Sequence, residues 1–274
     1  MMRPQQWCLT LYYRPKADMT EEPPSTNQRP NGPGPKHRFY VSDLSRVDGL
    51  GSVDSHDQVV QLNDQQTHHA LDVLRLKPGE TVELFDGCGI VVGGQMETNG
   101  RVRPVSFHQV PQPAKTIDMA VSLPKGSRSS DMISGLSQLG VDRVIPLRTA
   151  RSVVHPRQGK LLRLRTAVIE SAKQCGRAHL MEIAETTSLV DALHLNYDLR
   201  LIAQPRVPYR GQSLCNAQRV LILIGPEGGW TAEEIDMAEQ QGCDFWNIGP
   251  YVMRIETAAL AAAGIVQLMH HEAL

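Results

Sequence analysis

The segment Arg219-Val-Leu-Ile-Leu-Ile-Gly-Pro-Glu-Gly-Gly-Trp-Thr231 decides how the rest of the chain is interpreted. Five consecutive apolar residues, Val220 to Ile224, end at Gly225 and Pro226, which predicts a strand buried on both faces of a parallel sheet. Thr231 and Glu234 have the spacing of a capping box, so a helix is expected to begin directly after the glycines. The segment therefore predicts a unit of strand, glycine-rich loop and helix.

A second unit of the same kind follows. Phe245 to Ile248 predicts a short strand, Gly249 and Pro250 break it, and Glu256 to Met269 predicts an alanine-rich helix. We expect the two loops to lie at the ends of neighbouring strands. In open α/β sheets, ligands bind in the crevice outside the carboxyl ends of the strands, so the two loops are candidates for a ligand site. Glycines at both places would let the backbone approach such a ligand closely.

The first loop is poorly suited to phosphate. It lacks the Gly-Lys-Ser/Thr ending of a Walker loop and the pattern Gly-x-Gly-x-x-Gly, and Glu227 would repel a pyrophosphate. A nucleoside-like ligand that carries positive charge, such as S-adenosylmethionine, is a better electrostatic match. The alternative is that Gly225 to Gly229 forms only a tight turn between strand and helix.

The two loops resemble those of a known family. Ile224-Gly-Pro-Glu-Gly-Gly229 and Ile248-Gly-Pro-Tyr-Val-Met-Arg-Ile-Glu-Thr-Ala258 are similar to motifs of the RsmE-type ribosomal RNA (uracil-N3)-methyltransferases, a branch of the SPOUT class. The resemblance extends from about Arg38 to Leu268, and the paired motifs make it specific.

The resemblance implies an α/β fold of two domains. Residues 116–274 are expected to form a SPOUT methyltransferase domain with a C-terminal trefoil knot at roughly 199–274, working as a homodimer. Residues 37–112 are expected to form a small PUA-like RNA-binding β-barrel. The implied activity is S-adenosylmethionine-dependent methylation of N3 of a uridine in 16S (small-subunit) ribosomal RNA.

Composition is typical of a soluble globular protein. Of the 274 residues, 41% are hydrophobic and 21% are charged. No apolar run approaches the roughly 18 residues that cross a membrane, and no signal peptide is evident, so we expect a cytoplasmic protein. Five scattered cysteines without a C-x-x-C motif indicate reduced thiols, and the adjacent histidine pairs lack metal-ligand spacing, so no metal site is predicted.

Residues 1–36 are rich in Pro, Gln, Asn, Thr and Gly, and this composition predicts a disordered N-terminal tail. An upstream start codon, with Met19 as the alternative start, would also account for it.

Charge is distributed unevenly along the chain. From Arg143 to Arg177 there are nine basic residues and one acid, whereas from Glu227 to the end there are eight acids and one basic residue. A local positive stripe on a neutral protein favours a polyanion such as RNA. The alternative interpretation is a solvated helix face laced with ion pairs.

Both predicted domains carry regular patterns. In the first, strands are expected at Phe39 to Val41, Thr81 to Phe85, Ile90 to Met96 and Val102 to Val110, with a helix near Thr67 to Leu74. In the second, strands at Thr116 to Leu123, Val141 to Leu147 and Leu199 to Ala203 alternate with helices at Met132 to Leu139 and Gly159 to Cys175. This alternation predicts a parallel sheet with helices on both sides.

The predicted cofactor pocket is built mainly from backbone groups of the two loops. Its expected residues are Gln204, Ile224, Gly225, Pro226, Glu227, Gly228, Gly229, Ile248, Gly249, Met253 and Thr257.

Methyl transfer to uracil N3 requires loss of a proton and stabilisation of the negative ring. Arg254, which matches an arginine of the family motif, is the candidate for this stabilisation, and a salt bridge to Glu227 or Glu256 is its structural alternative. The base is unassigned between solvent and Glu227. Arg151 and Ser152 are assigned to the substrate, and Lys125 and Arg177 to RNA phosphates.

Four positions depart from the family pattern: Gly135, Gln138, Tyr251 and Ile255. They leave open which uridine is modified. Two alternative functions also stay open: a catalytically silent RNA-binding protein and an RNA ribose 2′-O-methyltransferase.

Overall fold

Two β-sheets follow one another along the part of the chain that the computed structural model describes. The described residues are 37–44, 59–154, 156, 158–205, 207 and 217–271. The predicted tail, residues 1–36, lies outside them. None of the helices in this described part is long and apolar enough to cross a membrane.

The first sheet has five strands. In chain order they are β1 (Arg38–Tyr40), β2 (Val60–Gln61), β3 (Thr81–Phe85), β4 (Ile90–Met96) and β5 (Arg101–Gln109). Their order across the sheet is β1-β3-β4-β5-β2, and β3, β4 and β5 are antiparallel. The predicted bounds of β3 and β4 are confirmed. Among the described residues β1 and β2 do not pair, so hydrogen bonds do not close this sheet into the predicted barrel.

A short helix crosses one side of this sheet. It comprises α1 (Asp64–His68) and a π-helical turn, His69–Val73. The helix begins three residues before the predicted start because the Asn63 side chain accepts a hydrogen bond from the Gln66 amide at 2.8 Å, which caps it. Buried side chains of β1, β3 and β4, among them Phe39, Leu84 and Met96, pack into a core with this helix.

The second sheet is parallel. Its strands are β6 (Thr116–Val121), β7 (Arg143–Arg148), β8 (Glu182–Ile183), β9 (Thr187–Ser188), β10 (Leu199–Ala203), β11 (Arg219–Ile224) and β12 (Asp244–Trp246). They are ordered β12-β10-β11-β6-β7-β8, with β9 beside β7. The helices are α2 (Arg128–Gln138), α3 (Gln158–Cys175), α4 (Leu189–Leu193), α5 (Ala232–Gln240) and α6 (Ile255–His271).

Strand β11 is buried on both faces, as its apolar run predicts. Val220, Ile222 and Ile224 pack into one core with side chains of α2, α3 and α6. Leu221 and Leu223 point to the opposite face and pack with side chains of α4 and α5. The sheet is therefore covered by helices on both sides, which confirms the predicted layering.

One prediction about strand order is wrong. The two glycine loops follow β11 and β12, but these strands are not neighbours, because β10 pairs in parallel with both of them. The strand β12 also ends at Trp246, two residues earlier than predicted. Ile248 is apolar because it lines a cleft beyond the strand, not because it lies in the sheet.

Gly135 has a packing role. A Cβ atom at this position of α2 would lie 2.6 Å from Cδ2 of Leu260, which belongs to α6. Glycine therefore permits the close approach of α2 and α6. This approach explains a residue that is otherwise unfavourable within a helix.

The first sheet is fixed to the helical layer of the second. Arg38 of β1 donates to the carbonyl of Ala172 at 2.7 Å, stacks on the Phe85 ring and pairs with Glu83. On the same seam, the imidazole of His179 lies 2.8 Å from the carbonyl oxygen of Val110. Phe85 and Ala172 also share a small apolar core.

Candidate functional site

A cleft of about 120 Å³ opens at the carboxyl ends of β10, β11 and β12. Residues of both glycine loops line it, so the loops share one cleft even though β10 separates their strands. The lining residues are Ala203, Gln204, Pro205, Ile224, Gly225, Pro226, Glu227, Gly229, Trp230, Trp246, Asn247, Ile248, Gly249, Tyr251, Val252, Met253, Ile255 and Ala258.

Most of the predicted pocket residues are in this lining. Gly228 and Thr257 are the exceptions. The sequence prediction missed the two indoles, Trp230 and Trp246, whose aromatic character next to each glycine loop was the available signal. Both are almost fully buried, so they form the floor of the cleft.

The first loop is held rigidly against Trp230. A Cβ atom on Gly225 would lie 2.8 Å from the indole ring, so only glycine fits there without displacing the ring. The indole Nε1 donates to the carbonyl of Ala203 at 3.0 Å, which ties the loop to the end of β10. Gly229 has φ +69°, and its amide closes a turn onto the carbonyl of Pro226 at 2.9 Å.

The second loop is attached to the same strand end. The amide of Gln204 donates to the carbonyl of Trp246 at 3.0 Å, and the Gly249 amide donates to the Asn247 side chain at 3.3 Å. Beyond these contacts the loop projects outward. Tyr251 is 82% exposed and Val252 is 72% exposed, although both contribute to the lining.

An arginine that the sequence prediction missed connects the first loop to the start of α6. Arg128, at the start of α2, lies 3.3 Å from Glu256 and 3.9 Å from Glu227. Glu227 is the one carboxylate in the lining, and Glu256 lies in the first turn of α6. No sequence signal pairs Arg128 with Glu256, because the two residues are 128 positions apart.

Glu256 is held in its ionised form. Burial alone would raise the pKa of its carboxyl group, but its own backbone amide, the Arg128 guanidinium and the charge of Arg254 together lower that pKa. Its Oε2 atom is buried and has no hydrogen-bond partner among the described residues.

Arg254 directly follows Met253, which lines the cleft, and is exposed. Among the described residues its side chain forms no hydrogen bond or ion pair. The described structure therefore does not support a salt bridge from Arg254 to Glu227 or Glu256, although the charge of Arg254 acts on Glu256. The ion pairs of both carboxylates are made by Arg128.

Arg151 and Ser152 brace the first loop. The Arg151 guanidinium donates to the carbonyls of Gly228 at 2.8 Å and Trp230 at 3.1 Å. Ser152 Oγ accepts a hydrogen bond from the Thr149 amide at 2.9 Å, which orders the turn that carries Arg151. The loop after β7 is thereby placed directly against the cleft.

The predicted capping box is present, and its glutamate also holds the loop after β7. Thr231 and Glu234 exchange the expected hydrogen bonds at the start of α5. The same Glu234 carboxylate also accepts the amide of Ala150 at 2.8 Å. One buried glutamate therefore fixes both the helix start and the loop that holds Arg151.

The basic stripe is not a single surface. Arg177 donates to the carbonyls of Ser137, Val141 and His179 and lies 3.4 Å from Asp142, so its predicted contact with RNA phosphates is not supported. Arg143 is engaged with Asp118 and Tyr197. The exposed members include Arg148, Arg151, Arg163 and Arg165, while Lys125, outside the stripe, is also exposed.

No group of three or more His, Cys, Asp or Glu side chains within the described ranges is arranged to hold a metal ion.

Comparison with protein families gives two matches. Residues 111–267 match the RNA methyltransferase domain, and residues 62–98 match the RNA methyltransferase PUA domain. The second match lies within the five-stranded sheet and its helix.

Two ribosomal RNA methyltransferases are similar to this chain over most of its length. The chain is 32% identical over 221 residues to the ribosomal RNA small subunit methyltransferase E of Synechocystis, covering 75% of this chain and 72% of the relative. It is 28% identical over 247 residues to the protein of the same name from Mycobacterium tuberculosis, covering 84% and 91%.

Solved structures match the fold as well as the sequence. One is a ribosomal RNA small subunit methyltransferase E from Neisseria gonorrhoeae bound to S-adenosyl methionine, with a TM-score of 0.73, 26% identity, and coverage of 85% of this chain and 97% of that chain. Another is a putative methyltransferase from Legionella pneumophila in complex with the same compound, with a TM-score of 0.67, 28% identity, and coverage of 77% and 92%.

Proposed function

We propose that this chain, which belongs to the ribosomal RNA small subunit methyltransferase E family of RNA methyltransferases, transfers a methyl group from S-adenosylmethionine to N3 of a uridine in small-subunit ribosomal RNA. The observation that carries the proposal is the single cleft lined by both glycine loops. Two exposed arginines lie beside it in the chain, Arg151 in the loop after β7 and Arg254 immediately before α6.

The cleft suits a nucleoside that bears a sulfonium better than one that bears phosphate. No lysine or arginine is in its lining, and Glu227 contributes a carboxylate that is 48% exposed. Indoles and glycine backbone offer apolar contact and close approach. When bound, S-adenosylmethionine supplies a methyl group activated by the adjacent positive sulfur.

The residues at the mouth of the cleft supply positioning and charge. Arg254, which forms no hydrogen bond or ion pair among the described residues, would stabilise the negative charge that develops on uracil as the N3 proton leaves. The proton acceptor is solvent or Glu227. Arg151 holds the first loop through two carbonyls and, with Ser152 and Lys125, forms the edge that the RNA would approach.

We extend the proposal to domain organisation and assembly. Residues 37–112 would form the PUA-like RNA-binding domain and residues 116–274 the SPOUT domain, with a trefoil knot at roughly 199–274. In support of the knot, the chain leaves β12 at the edge of the sheet and returns as α6, which packs in the core beside α2. A homodimer through α6 is favoured by Leu268, which is 60% exposed on that helix.

The test is transfer of isotopically labelled methyl to small ribosomal subunits that lack methylation, followed by mass spectrometry of the released nucleosides. We expect the label in 3-methyluridine. Label on a ribose 2′-oxygen would refute N3 methylation and show that the protein is a ribose 2′-O-methyltransferase. Absence of label in all nucleosides, with RNA still bound, would favour a catalytically silent RNA-binding protein.

A further inference from the structure

The two most exposed large hydrophobic side chains in the described part of the chain are adjacent in sequence. Tyr251 is 82% exposed and Val252 is 72% exposed, whereas the next, Leu162, is 65% exposed. Both also contribute to the lining of the cofactor cleft. An aromatic ring in solvent at the edge of a cleft is a typical feature of a binding surface.

The interior of the cleft does not require this ring. Trp230 and Trp246 already form its floor, and the Trp230 indole is anchored to the Ala203 carbonyl at 3.0 Å. Tyr251 is in the lining and yet 82% exposed, so most of its surface remains open to a molecule that approaches from outside.

The chemistry around Tyr251 fits a nucleobase. Three residues further on, Arg254 presents an exposed guanidinium that forms no hydrogen bond or ion pair among the described residues and can contact uracil oxygens or a phosphate. Flat, uncharged bases of unpaired RNA stack on exposed aromatic side chains, and truncation of such a side chain lowers affinity by between about fivefold and about a hundredfold.

Two adjacent side chains form too small a patch for a stable protein interface. Such an interface buries about 800 Å² on each partner, which corresponds to roughly 20 to 30 residues. Tyr251 instead lies at the edge of the cleft, so its ring can contact a base that enters the cleft for methyl transfer.

We propose that Tyr251 stacks on the unpaired uracil that is presented to the cofactor cleft. This inference rests on the proposed function, because it takes RNA as the substrate. It adds a substrate-binding residue at a position where the chain departs from its family.

The experiment compares Tyr251→Phe, Tyr251→Leu and the unchanged protein. Phenylalanine keeps the flat ring, whereas leucine keeps an apolar side chain without it. Affinity is measured by fluorescence anisotropy with a labelled oligouridylate, and with an abasic oligoribonucleotide that carries the same phosphates without bases. Leu162→Ala, which removes an exposed apolar side chain on α3, is the matched control.

We expect Tyr251→Phe to bind the oligouridylate within about twofold of the unchanged protein, and Tyr251→Leu to bind it between about fivefold and about a hundredfold more weakly. Affinity for the abasic strand should be unchanged in all variants. Because leucine keeps an apolar side chain at the edge of the cleft, calorimetric affinity for S-adenosylmethionine should change far less than affinity for the oligouridylate, and the sedimentation coefficient should be unchanged.

Several results would overturn the inference. Equal oligouridylate binding by the leucine and phenylalanine variants would mean that the aromatic ring at position 251 does not stack on a base. A parallel loss of S-adenosylmethionine affinity would assign the ring to the cofactor, and an altered sedimentation coefficient would assign it to a second copy. Ring-dependent uridylate binding without any methyl transfer would refute the proposed function and leave the stacking intact.

Discussion

Arg128 Nη1 lies 3.3 Å from Glu256 Oε1, so the start of α2 is joined to the first turn of α6. The same guanidinium lies 3.9 Å from Glu227 in the first glycine loop. One side chain therefore connects the first glycine loop to the start of the helix that follows the second. Because Arg128 itself is not in the lining, it positions the site without contributing to its surface.

The first prediction concerns this arginine. Arg128→Ala should weaken S-adenosylmethionine binding by roughly threefold to tenfold, because the first loop and the start of α6 lose their common contact. The unfolding free energy should fall by only about 1 kcal/mol, since the ion pairs are partly exposed. Calorimetry and urea denaturation measure the two quantities. Arg163→Ala, an exposed arginine of α3, is the control, and equal affinities of the two variants would contradict the prediction.

The second prediction separates the methyl donor from its product. The sulfonium of S-adenosylmethionine is positive, whereas the thioether of S-adenosylhomocysteine is neutral. Glu227→Gln should therefore weaken binding of the donor by about fivefold more than binding of the product, on the order of 1 kcal/mol. Any loss that follows from the broken contact with Arg128 is common to both compounds. Calorimetric titration of both compounds checks this. An equal loss for donor and product would show that the Glu227 charge does not face the sulfur.

The third prediction uses the contact between α2 and α6. Gly135→Ala should fail to stabilise the protein, because its Cβ would lie 2.6 Å from Leu260 Cδ2. In the Leu260→Ala background the same change should stabilise by about 0.5 to 1 kcal/mol, as alanine normally does in a helix. Gly159→Ala, where a Cβ has open space, should stabilise in both backgrounds.

Urea denaturation gives these four differences. Identical effects of Gly135→Ala with and without Leu260 would contradict the packing explanation.

The fourth prediction concerns alkaline pH. Burial and the hydrogen bond to Asp118 raise the pKa of Tyr197 to about 12 from its ordinary value of 10. The unfolded chain therefore loses this proton first, so stability is complete below pH 10 and declines as the pH rises from 10 to about 12. The decline attributable to Tyr197 is on the order of 2 kcal/mol.

Tyr197→Phe should be less stable near neutral pH, because Asp118 loses a hydrogen-bond donor. Its alkaline decline should nevertheless be shallower than that of the unchanged protein. Urea denaturation across this range measures both curves, and parallel curves would exclude the assignment to Tyr197.

Much of the fold follows from local sequence pattern. The bounds of β3, β4 and β10 agree with those predicted, because buried strands carry apolar runs that turn residues interrupt. Strand order could not be obtained in this way. The placement of β10 between β11 and β12 depends on how the connections cross the sheet, which no local pattern encodes.

Charged residues were the least predictable part of the site. Arg177 lies in a basic stretch, but its guanidinium is engaged by the carbonyls of Ser137, Val141 and the nearby His179. Arg128 was missed for the converse reason, since both of its partners are distant in sequence. The glycine loops were predictable because only glycine readily permits the positive φ angles and close backbone approach that such loops need.

The central claim is that the two glycine loops together hold S-adenosylmethionine. The most direct measurement is calorimetric titration of that compound into the unchanged protein, Gly225→Ala and Gly249→Ala. A Cβ at Gly225 meets the rigid Trp230 ring at 2.8 Å, whereas one at Gly249 meets only the terminal methyl of Met253, which can move.

We predict one site per chain in the unchanged protein, loss of binding by at least about tenfold in Gly225→Ala, and a much smaller loss in Gly249→Ala. Absence of binding to the folded, unchanged protein, or equal binding by it and Gly225→Ala, would contradict the account.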